Sequence, residues 1–177
     1  NVNIDRNFIP KKKAIFTTRS DRNIEFLLSS WEKINLKSLH SELHINPPYN
    51  LTEEQTKMGV KLRTKSNKIE LIEELKNSRV MLNPGHKGEV FCLSAIEAKE
   101  MCLPIVTMGY GSLSERVEHG QTGYIAKNQS EFIDCSLDIL NNDETYLKFK
   151  NYLFNKRGKR TYKNVADDFL KIITFND

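Results

Sequence analysis

The chain has 177 residues, of which 38% are apolar, and this is enough for one globular domain with a sizeable core. It contains no run of about 18 apolar residues, so the sequence predicts no membrane-spanning helix, and its three cysteines form no C-x-x-C pair, which argues against a disulfide framework or a zinc site. The cysteine pattern favours a reduced, cytoplasmic compartment. The net charge of +4 slightly favours anionic partners.

The chain begins with a boundary segment, a strand and a helix. Residues 1–10 show no periodic pattern and end in a proline, so we expect a boundary and no core element there. Because the chain starts without Met or a signal peptide, we expect it to be a piece of a longer protein. Residues 14–18 favour a strand, and residues 22–36 carry one helical stripe of apolar side chains, with Asp21 as the expected N-cap or first-turn acid.

Two arginines lie in the turn between this strand and this helix. Arg19 and Arg22 follow the carboxyl end of the strand, which is where doubly wound sheets bind their ligands. A ligand-binding role is one interpretation, and two solvated loop arginines are the other.

The middle of the chain alternates short apolar runs with amphipathic segments. Glu42–Ile45 reads as the second strand, and the two prolines in the loop at residues 46–49 cannot continue a ladder because proline has no N–H to donate. Asn67 and Glu70 stand at capping-box spacing. The other elements expected here are a short polar helix at residues 51–58, a strand at 60–63, a helix at 67–78 and a strand at 79–82.

The segment from residue 83 to residue 106 combines a loop, a helix and a strand. Gly85 and Gly88 allow the loop a close backbone approach to a ligand, and the helical pattern begins at Phe91. Residues 103–107 form a buried strand by composition. This alternation of strand, loop and helix is typical of a parallel α/β sheet.

Two acids mark this helix. Glu89 precedes it, and Glu97 lies eight positions later, on the face that it shares with Leu93. The N–H groups at the helix start lack intrahelical acceptors and carry the positive end of the helix dipole, so a diphosphate would bind well there. Ribose hydroxyls would then lie within reach of Glu97, and a sugar beyond the phosphates within reach of Glu89.

From residue 108 onward the sequence predicts one more strand and a helical carboxyl-terminal part. Ser112 and Ser130 are expected to cap the helices that follow them, and Gly158 divides the helical pattern that begins at Asp143. In order, the expected elements are a helix at residues 113–117, a strand at 122–126, a helix at 131–140 and two helices after residue 143.

A basic run, Lys156 to Arg160, lies at the junction between the last two helices. A solvated helix junction is one interpretation, and contact with another domain or with a membrane surface is the other. Nucleic-acid binding is not favoured, because no aromatic residues are interleaved as a stacking platform.

Together these residues resemble a known family. Glu89, seven residues and Glu97, with Phe91, Ala98 and Pro104 around them, resemble the motif of the retaining glycosyltransferases of the GT-B fold, family four. The resemblance covers nearly all 177 residues in the expected order. The other matching segments are residues 16–28 with Trp31, residues 111–117 and residues 120–125.

The resemblance implies a fold and a domain organisation. The chain would be the carboxy-terminal half of a GT-B enzyme, an α/β domain with a Rossmann-like, doubly wound parallel sheet of about six strands, flanking helices and C-terminal helices. Residues 1–10 would be an interdomain connector remnant and residues 11–142 the donor-binding domain. Residues 143–177 would be helices that pack back on the domain or toward a missing N-terminal domain.

The resemblance also implies a reaction and the residues that carry it. A hexose would pass from a nucleotide-diphosphate sugar to an acceptor with retention, without a cofactor or bound metal. Arg22, in the place of the family's phosphate-binding lysine, and Glu89 would be the catalytic residues. Many family members have glycine where this chain has Cys92, and we expect the Cys92 amide still to bind. The donor-binding residues would be Glu97, Arg19, Gly88, Val90, Phe91, Cys92 and Leu93.

Two further expectations concern loop segments near this site. By the resemblance, residues 61–65 would cover the nucleotide base, mostly with backbone groups. His86 and Lys87 would face the sugar or the phosphates, or would be ordinary exposed loop residues.

The implied partners are a nucleotide-sugar donor and a glycan or lipid-linked acceptor, as in lipopolysaccharide or cell-surface polysaccharide synthesis, with the acceptor bound through the missing N-terminal domain. We expect a cytoplasmic protein that binds no nucleic acid, and peripheral contact with the cytoplasmic membrane face stays open. Two alternatives also stay open: half of a nucleotide-sugar epimerase, which uses the same fold, and a non-catalytic nucleotide-sugar-binding or interaction module.

Overall fold

A parallel sheet forms the centre of the computed structural model, which describes residues 2–64, 67–158 and 162–174. Its strands are β1 (Lys13–Phe16), β2 (Glu42–Ile45), β3 (Val60–Leu62), β4 (Val80–Leu82), β5 (Ile105–Thr107) and β6 (Gly123–Ile125). They lie in the order β3-β2-β1-β4-β5-β6, and every pairing is parallel. The predicted Rossmann-like sheet of six strands is therefore confirmed.

Helices cover both faces of the sheet. The described residues form α1 (Ile24–Lys37), α2 (Glu53–Lys57), α3 (Lys68–Lys76), α4 (Leu93–Glu100), α5 (Leu113–Arg116), α6 (Gln129–Asn141), α7 (Asp143–Lys156) and α8 (Tyr162–Thr174). Buried side chains of α1 and α6 form one apolar layer, and those of α3, α4 and α5 form the other. Doubly wound sheets have this arrangement because each strand must bury both of its faces.

The alternation of side chains along β1 shows how one strand serves both layers. Ala14 and Phe16 belong to the α1/α6 layer, whereas Ile15 belongs to the α3/α4/α5 layer, and all three are fully buried. α7 joins the two layers, because Tyr146 lies in the first and Leu153 in the second.

The helix caps agree with the sequence in part. The Asn67–Glu70 capping box at α3 is confirmed. The expectation that Ser130 caps α6 is wrong, because the Asn128 side chain accepts from the Glu131 N–H and starts the helix earlier. Ser112 precedes α5 but makes no side-chain cap hydrogen bond, and its backbone has helical angles rather than the extended angles of a cap.

The amino-terminal segment packs against α7. Lys150 donates to the Phe8 carbonyl at 2.6 Å, and Arg157 donates to the Val2 carbonyl at 3.1 Å. Ile4 is buried in the α3/α4/α5 layer. The expectation that residues 1–10 contain no core element is therefore wrong for Ile4, while their role as an interdomain connector stays a prediction.

Parts of four predicted segments lie outside the described residues. These are residue 1 of the expected connector, residue 65 of the expected base-covering loop, residues 159 and 160 of the basic run, and residues 161 and 175–177 of the carboxyl-terminal helices. None of the helices formed by the described residues is long and apolar enough to cross a membrane.

A buried arginine ties β4 to the carboxyl-terminal helices. Arg79 donates to the Ile139 carbonyl at 2.9 Å, pairs with Asp143, and lies with its guanidinium 4.7 Å from the centre of the Tyr146 ring. Burial raises the pKa of Tyr146, so the ring stays a neutral phenol beneath the cation. This contact fixes α7 next to the start of β4.

We expect Arg79→Met to lower the free energy of unfolding by about 2 kcal/mol or more, because it leaves a buried carbonyl without its donor. The Asp143 side chain is 65% exposed and regains water, which keeps the loss below that of a fully buried pair. Urea denaturation measures the change. The matched control is Lys76→Met in the partly exposed Lys76–Glu73 pair, where the loss stays within about 0.5 kcal/mol. Equal losses would contradict the assignment.

Candidate functional site

The strand order places a crevice at the carboxyl ends of β1 and β4. β1 pairs with β2 on one side and with β4 on the other, so the chain connections leave these two strands in opposite directions. Doubly wound sheets bind ligands at such a switch point. Two loops border it: residues 17–23 after β1 and residues 83–92 after β4.

The loop after β1 carries the two predicted arginines. Arg19 is solvent-exposed and forms an ion pair with Asp21 at 2.7 Å. The expectation that Asp21 is the N-cap or a first-turn acid of α1 is wrong, because the acid of the first turn is Glu25. Asn23 occupies the cap position instead, with a left-handed backbone (φ 68°) and no side-chain cap bond. The Arg22 N–H donates to the Arg19 carbonyl at 3.0 Å and closes the local turn. Arg19 hydrogen-bonds Asp21, whereas Arg22 hydrogen-bonds His86.

Arg22 meets the loop after β4. Its side chain is only 21% exposed, and its Nε lies 3.9 Å from Glu89 Oε2. Its Nη1 lies 3.1 Å from His86 Nδ1. The structure thus brings together Arg22 and Glu89, the two residues that the sequence predicted as catalytic. In sequence, the strands β2, β3 and β4 and the helices α1, α2 and α3 lie between their two loops.

A chain of polar contacts supports the loop after β1 from behind. The Asn46 amide donates to the carbonyls of Thr17 and Thr18, the second at 3.4 Å, and Asn46 accepts from Arg63. Arg63 is buried and pairs with Glu74 at 2.6 Å. The ends of β2 and β3 and the helix α3 therefore hold the loop that carries Arg22. Sequence reasoning missed this support, because an asparagine before two prolines reads as an ordinary turn residue.

The loop after β4 is folded tightly against the turn after β5. The Glu89 N–H donates to the His86 carbonyl at 2.9 Å, and the Ser112 N–H donates to the Glu89 carbonyl at 2.9 Å. Gly111, with φ +59°, lies against both carbonyls. A Cβ at Gly88 would crowd the His86 ring and the Arg22 guanidinium, so glycine at this position allows the two groups to approach each other closely.

The start of α4 differs from the sequence expectation. The helix begins at Leu93 and not at Phe91, because Cys92 adopts a left-handed conformation (φ 51°). Glu89 Oε1 accepts from the Cys92 N–H at 3.2 Å, so that amide already has a partner. The Cys92 thiol points inward and lies 3.5 Å from the Asn83 side-chain amide. The amides of Leu93 and Ser94 belong to the first turn and have no intrahelical acceptor.

The remaining predicted site residues lie on the surface beside this helix start. Val90, Phe91 and Leu93 are exposed, and the Arg116 guanidinium lies 4.8 Å from the centre of the Phe91 ring. Glu97 is also exposed, one helical turn after Leu93. Among the described residues, no ion pair or hydrogen bond joins Glu97 to Arg22 or Glu89, so these acids are placed along one edge without direct contact.

Two buried hydroxyls flank the same crevice. Thr17 Oγ1 and Ser112 Oγ have no hydrogen-bond partner among the described residues. Buried polar groups are normally paired, and exceptions are found where a ligand, water or strain is involved. Thr17 directly follows β1, and Ser112 follows the turn after β5, so both of these unpaired hydroxyl groups lie at the carboxyl edge of the sheet.

Two surface depressions lie away from the predicted site residues. One of about 370 Å³ lies between α1 and α6, lined by Lys33, Leu36 and Ile133 among others. Another of about 450 Å³ lies below the sheet at its amino-terminal edge, beside Pro10 and Lys13. Neither includes a residue of the predicted site. The candidate site is a ledge of charged groups and helix-start amides at the carboxyl edge of the sheet, and the chemistry of these groups identifies it.

We expect Gly111→Ala to destabilise the protein more than Gly120→Ala. A Cβ at Gly111 would lie 2.9 Å from the His86 carbonyl oxygen and closer still to that of Glu89, whereas a Cβ at Gly120 would meet nothing within 4 Å. Both glycines have positive φ, so both changes cost about 1 kcal/mol of backbone strain. Displacement of the loop adds about 1 to 3 kcal/mol at Gly111 alone. Urea denaturation of both variants measures the difference, and equal losses would contradict the close packing.

Comparison with known proteins agrees with the fold. The family model described as glycosyl transferases group 1 matches residues 50–156. The structure resembles a point mutant of S. aureus TarM, solved with fondaparinux, alpha-GlcNAc-glycerol and UDP, with a TM-score of 0.75 and 21% identity over 96% of this chain and 37% of that one. A search of curated proteins found no match.

Two further solved structures are similar to this chain over different shares of their own length. The pneumococcal O-GlcNAc transferase GtfA, in complex with UDP and GlcNAc, gives a TM-score of 0.71 and 15% identity over 93% of this chain and 36% of that one. The C-terminal domain of a glycosyl transferase group 1 family protein (LpcC) from Francisella tularensis gives a TM-score of 0.65 and 17% identity. The match covers 83% of this chain and 85% of that one.

The chain spans little more than a third of TarM and GtfA. The fold matches domains of GT-B glycosyltransferases, as the sequence resemblance implied. Because the family model covers more than half of the chain, this protein belongs to the glycosyl transferases group 1 family.

Proposed function

We propose that this chain is the donor-binding half of a retaining glycosyltransferase of family four, which transfers a hexose from a nucleotide diphosphate to a glycan or lipid-linked acceptor. The observation that carries the proposal is the meeting of Arg22 and Glu89, 3.9 Å apart, at the switch point beside the start of α4. The cation and the helix-start amides suit the diphosphate of a nucleotide sugar, and the carboxylate suits the hydroxyl groups of its sugar.

The diphosphate would bind between Arg22 and the first turn of α4. The guanidinium offers several N–H donors to phosphate oxygens, and the amides of Leu93 and Ser94 add donors at the positive end of the helix dipole. Arg19 lies in the same loop but is 75% exposed and paired with Asp21. It therefore adds long-range attraction more than a fixed contact.

The sugar and the ribose would each take one acid. Glu89 is 14% exposed and lies beyond Arg22, so its carboxylate would accept hydrogen bonds from sugar hydroxyls next to the diphosphate. Glu97, exposed one turn into α4, would accept from the ribose hydroxyls. A diphosphate itself is repelled by carboxylates, so the two acids favour neutral hydroxyl groups on either side of it.

In this proposal the reaction depends on stabilising the leaving group. The bond between the anomeric carbon and the phosphate oxygen breaks, and its electron pair passes to the nucleoside diphosphate. Arg22 and the start of α4 stabilise that negative charge, and Glu89 holds the sugar. The acceptor oxygen bonds to the anomeric carbon on the same face, and its proton passes to the departing phosphate oxygen. A fixed cation and helix dipole can supply this stabilisation without a bound metal.

Comparisons support the choice of nucleotide and of reaction class. The structures of TarM, GtfA and Anabaena Alr3699/HepE each contain UDP, with alpha-GlcNAc-glycerol, GlcNAc and glucose respectively. UDP is therefore the first ligand to test. The matching family is one of transferases, which favours transfer over the epimerase that the sequence left open. The acceptor would bind to a part of the protein outside these residues.

We expect one of UDP, GDP and ADP to stabilise the chain against heat, and to do so equally with and without a chelator. At 100 times its dissociation constant a ligand adds about 2.7 kcal/mol, or about 5 to 10 °C for a domain of this size. Glu97→Gln should weaken binding about tenfold, because the charged acceptor of the hydrogen bond is replaced by a neutral amide oxygen.

Glu100→Gln is the matched control, since Glu100 lies on the same helix but at its far end. It should bind the nucleotide like the wild type. A chain that no nucleotide stabilises would contradict donor binding by these residues, and stabilisation that the chelator abolishes would contradict the metal-independent site.

A further inference from the structure

His86 holds an unusual position between two hydrogen-bond donors. Its Nδ1 lies 3.1 Å from Arg22 Nη1 and 3.0 Å from the Gly88 amide nitrogen. A guanidinium and a peptide N–H can only donate. Nδ1 must therefore be the acceptor in both contacts, and it carries no proton.

This arrangement selects one form of the ring. An imidazolium ring has a proton on each nitrogen, so its Nδ1–H would be a third donor that faces the other two donors with no acceptor between them. The ring is therefore neutral, with its single proton on Nε2. His86 is exposed, so the packing around the ring does not impose this form, and the two donors do.

We propose that neutral His86 is the positioning residue for Arg22, and that it holds the guanidinium in place for the diphosphate of a nucleotide sugar. This inference rests on the proposed function, since it concerns the group that would bind the donor's phosphates. His86 acts through Arg22.

Two carboxylates also lie near Arg22, but neither holds it as His86 does. Asp21 and Glu89 each place a carboxylate oxygen 3.9 Å from Arg22 Nε. A direct pair with either acid would be strong. It would also neutralise the positive charge, and a pair with Glu89 would occupy the acid assigned to the sugar. A neutral acceptor fixes the guanidinium and leaves its full charge for an anionic ligand.

The backbone around His86 is built for this contact. The His86 carbonyl accepts from the Glu89 N–H at 2.9 Å, which fixes the residue in the loop. A Cβ at Gly88 would lie 3.2 Å from His86 Nδ1 and 3.4 Å from Arg22 Nη1. A side chain there would crowd both partners, so glycine at this position leaves the room in which the histidine and the arginine meet.

The test compares three variants of His86 in the 177-residue chain. Asn places its side-chain oxygen where Nδ1 lies, Gln places its polar atoms further out, near the position of Nε2, and Ala has no acceptor. The dissociation constants of UDP and of uridine are measured by calorimetry for each variant and for Arg22→Ala. Thermal melting without ligand establishes that each variant folds.

We expect His86→Ala and His86→Gln to bind UDP about tenfold more weakly than the wild type, as for one hydrogen bond to a charged group. His86→Asn should bind UDP within about twofold of the wild type. Uridine, which lacks the diphosphate, should bind the wild type and the three His86 variants equally. The double variant His86→Ala with Arg22→Ala should bind UDP no more weakly than Arg22→Ala alone, because the two residues act as a unit.

The outcomes separate this inference from the function on which it rests. A wild type that fails to bind UDP, GDP and ADP alike would overturn both. A wild type that binds UDP, an Arg22→Ala variant that loses it and a His86→Ala variant that keeps full affinity would overturn the role of His86 alone. Equal weakening by Asn, Gln and Ala, or weakening of uridine binding as well, would also overturn it, because it would indicate damage to the loop in general.

Discussion

The parallel pairing of β1 with β4 is the contact on which the rest of the site depends. It joins Ala14 to Val80 and Ile15 to Met81 in register, and it places the two strand ends side by side although more than sixty residues separate them in sequence. Arg22 and Glu89 can meet only because of this pairing. The apolar layers on both faces of the sheet stabilise it, so the packing of Phe16 and Trp31 on one side and of Ala95 and Leu113 on the other supports the position of two charged side chains.

Electrostatically, the site is a compromise between opposite needs. An anionic ligand needs Arg22 unpaired, whereas a partly buried cation needs partners in order to keep one geometry. The structure meets both needs by surrounding Arg22 with a neutral nitrogen at hydrogen-bond distance and with two carboxylates at the outer limit of an ion pair. Glu89 has a second task, because the same carboxylate caps the Cys92 amide. One acid thus orders the helix start while its other oxygen faces the arginine.

Sequence reasoning predicted the elements of the fold well, and the details of the site only where they are local. Strand β2 was predicted with the bounds that it has in the structure, and the Asn67–Glu70 capping box follows from spacing alone. The later start of α4 was missed because Cys92 has a left-handed backbone, which residue types other than glycine rarely signal. The support from Asn46, Arg63 and Glu74 and the contact of His86 with Arg22 were missed because they join residues far apart in sequence. Arg22, Glu89 and Glu97 were predicted from a family motif, and their roles remain predictions.

The link from Glu74 through Arg63 and Asn46 to the loop after β1 has a consequence for how related chains are recognised. None of these three residues belongs to the motif with its two glutamates, yet together they hold the backbone from which Arg22 extends. A chain that kept every motif residue but replaced Asn46 with an apolar residue would pass a motif search and still present its arginine on an unsupported loop. Intact motifs and an intact site are therefore separate properties in this fold, and the residues behind the loop distinguish them.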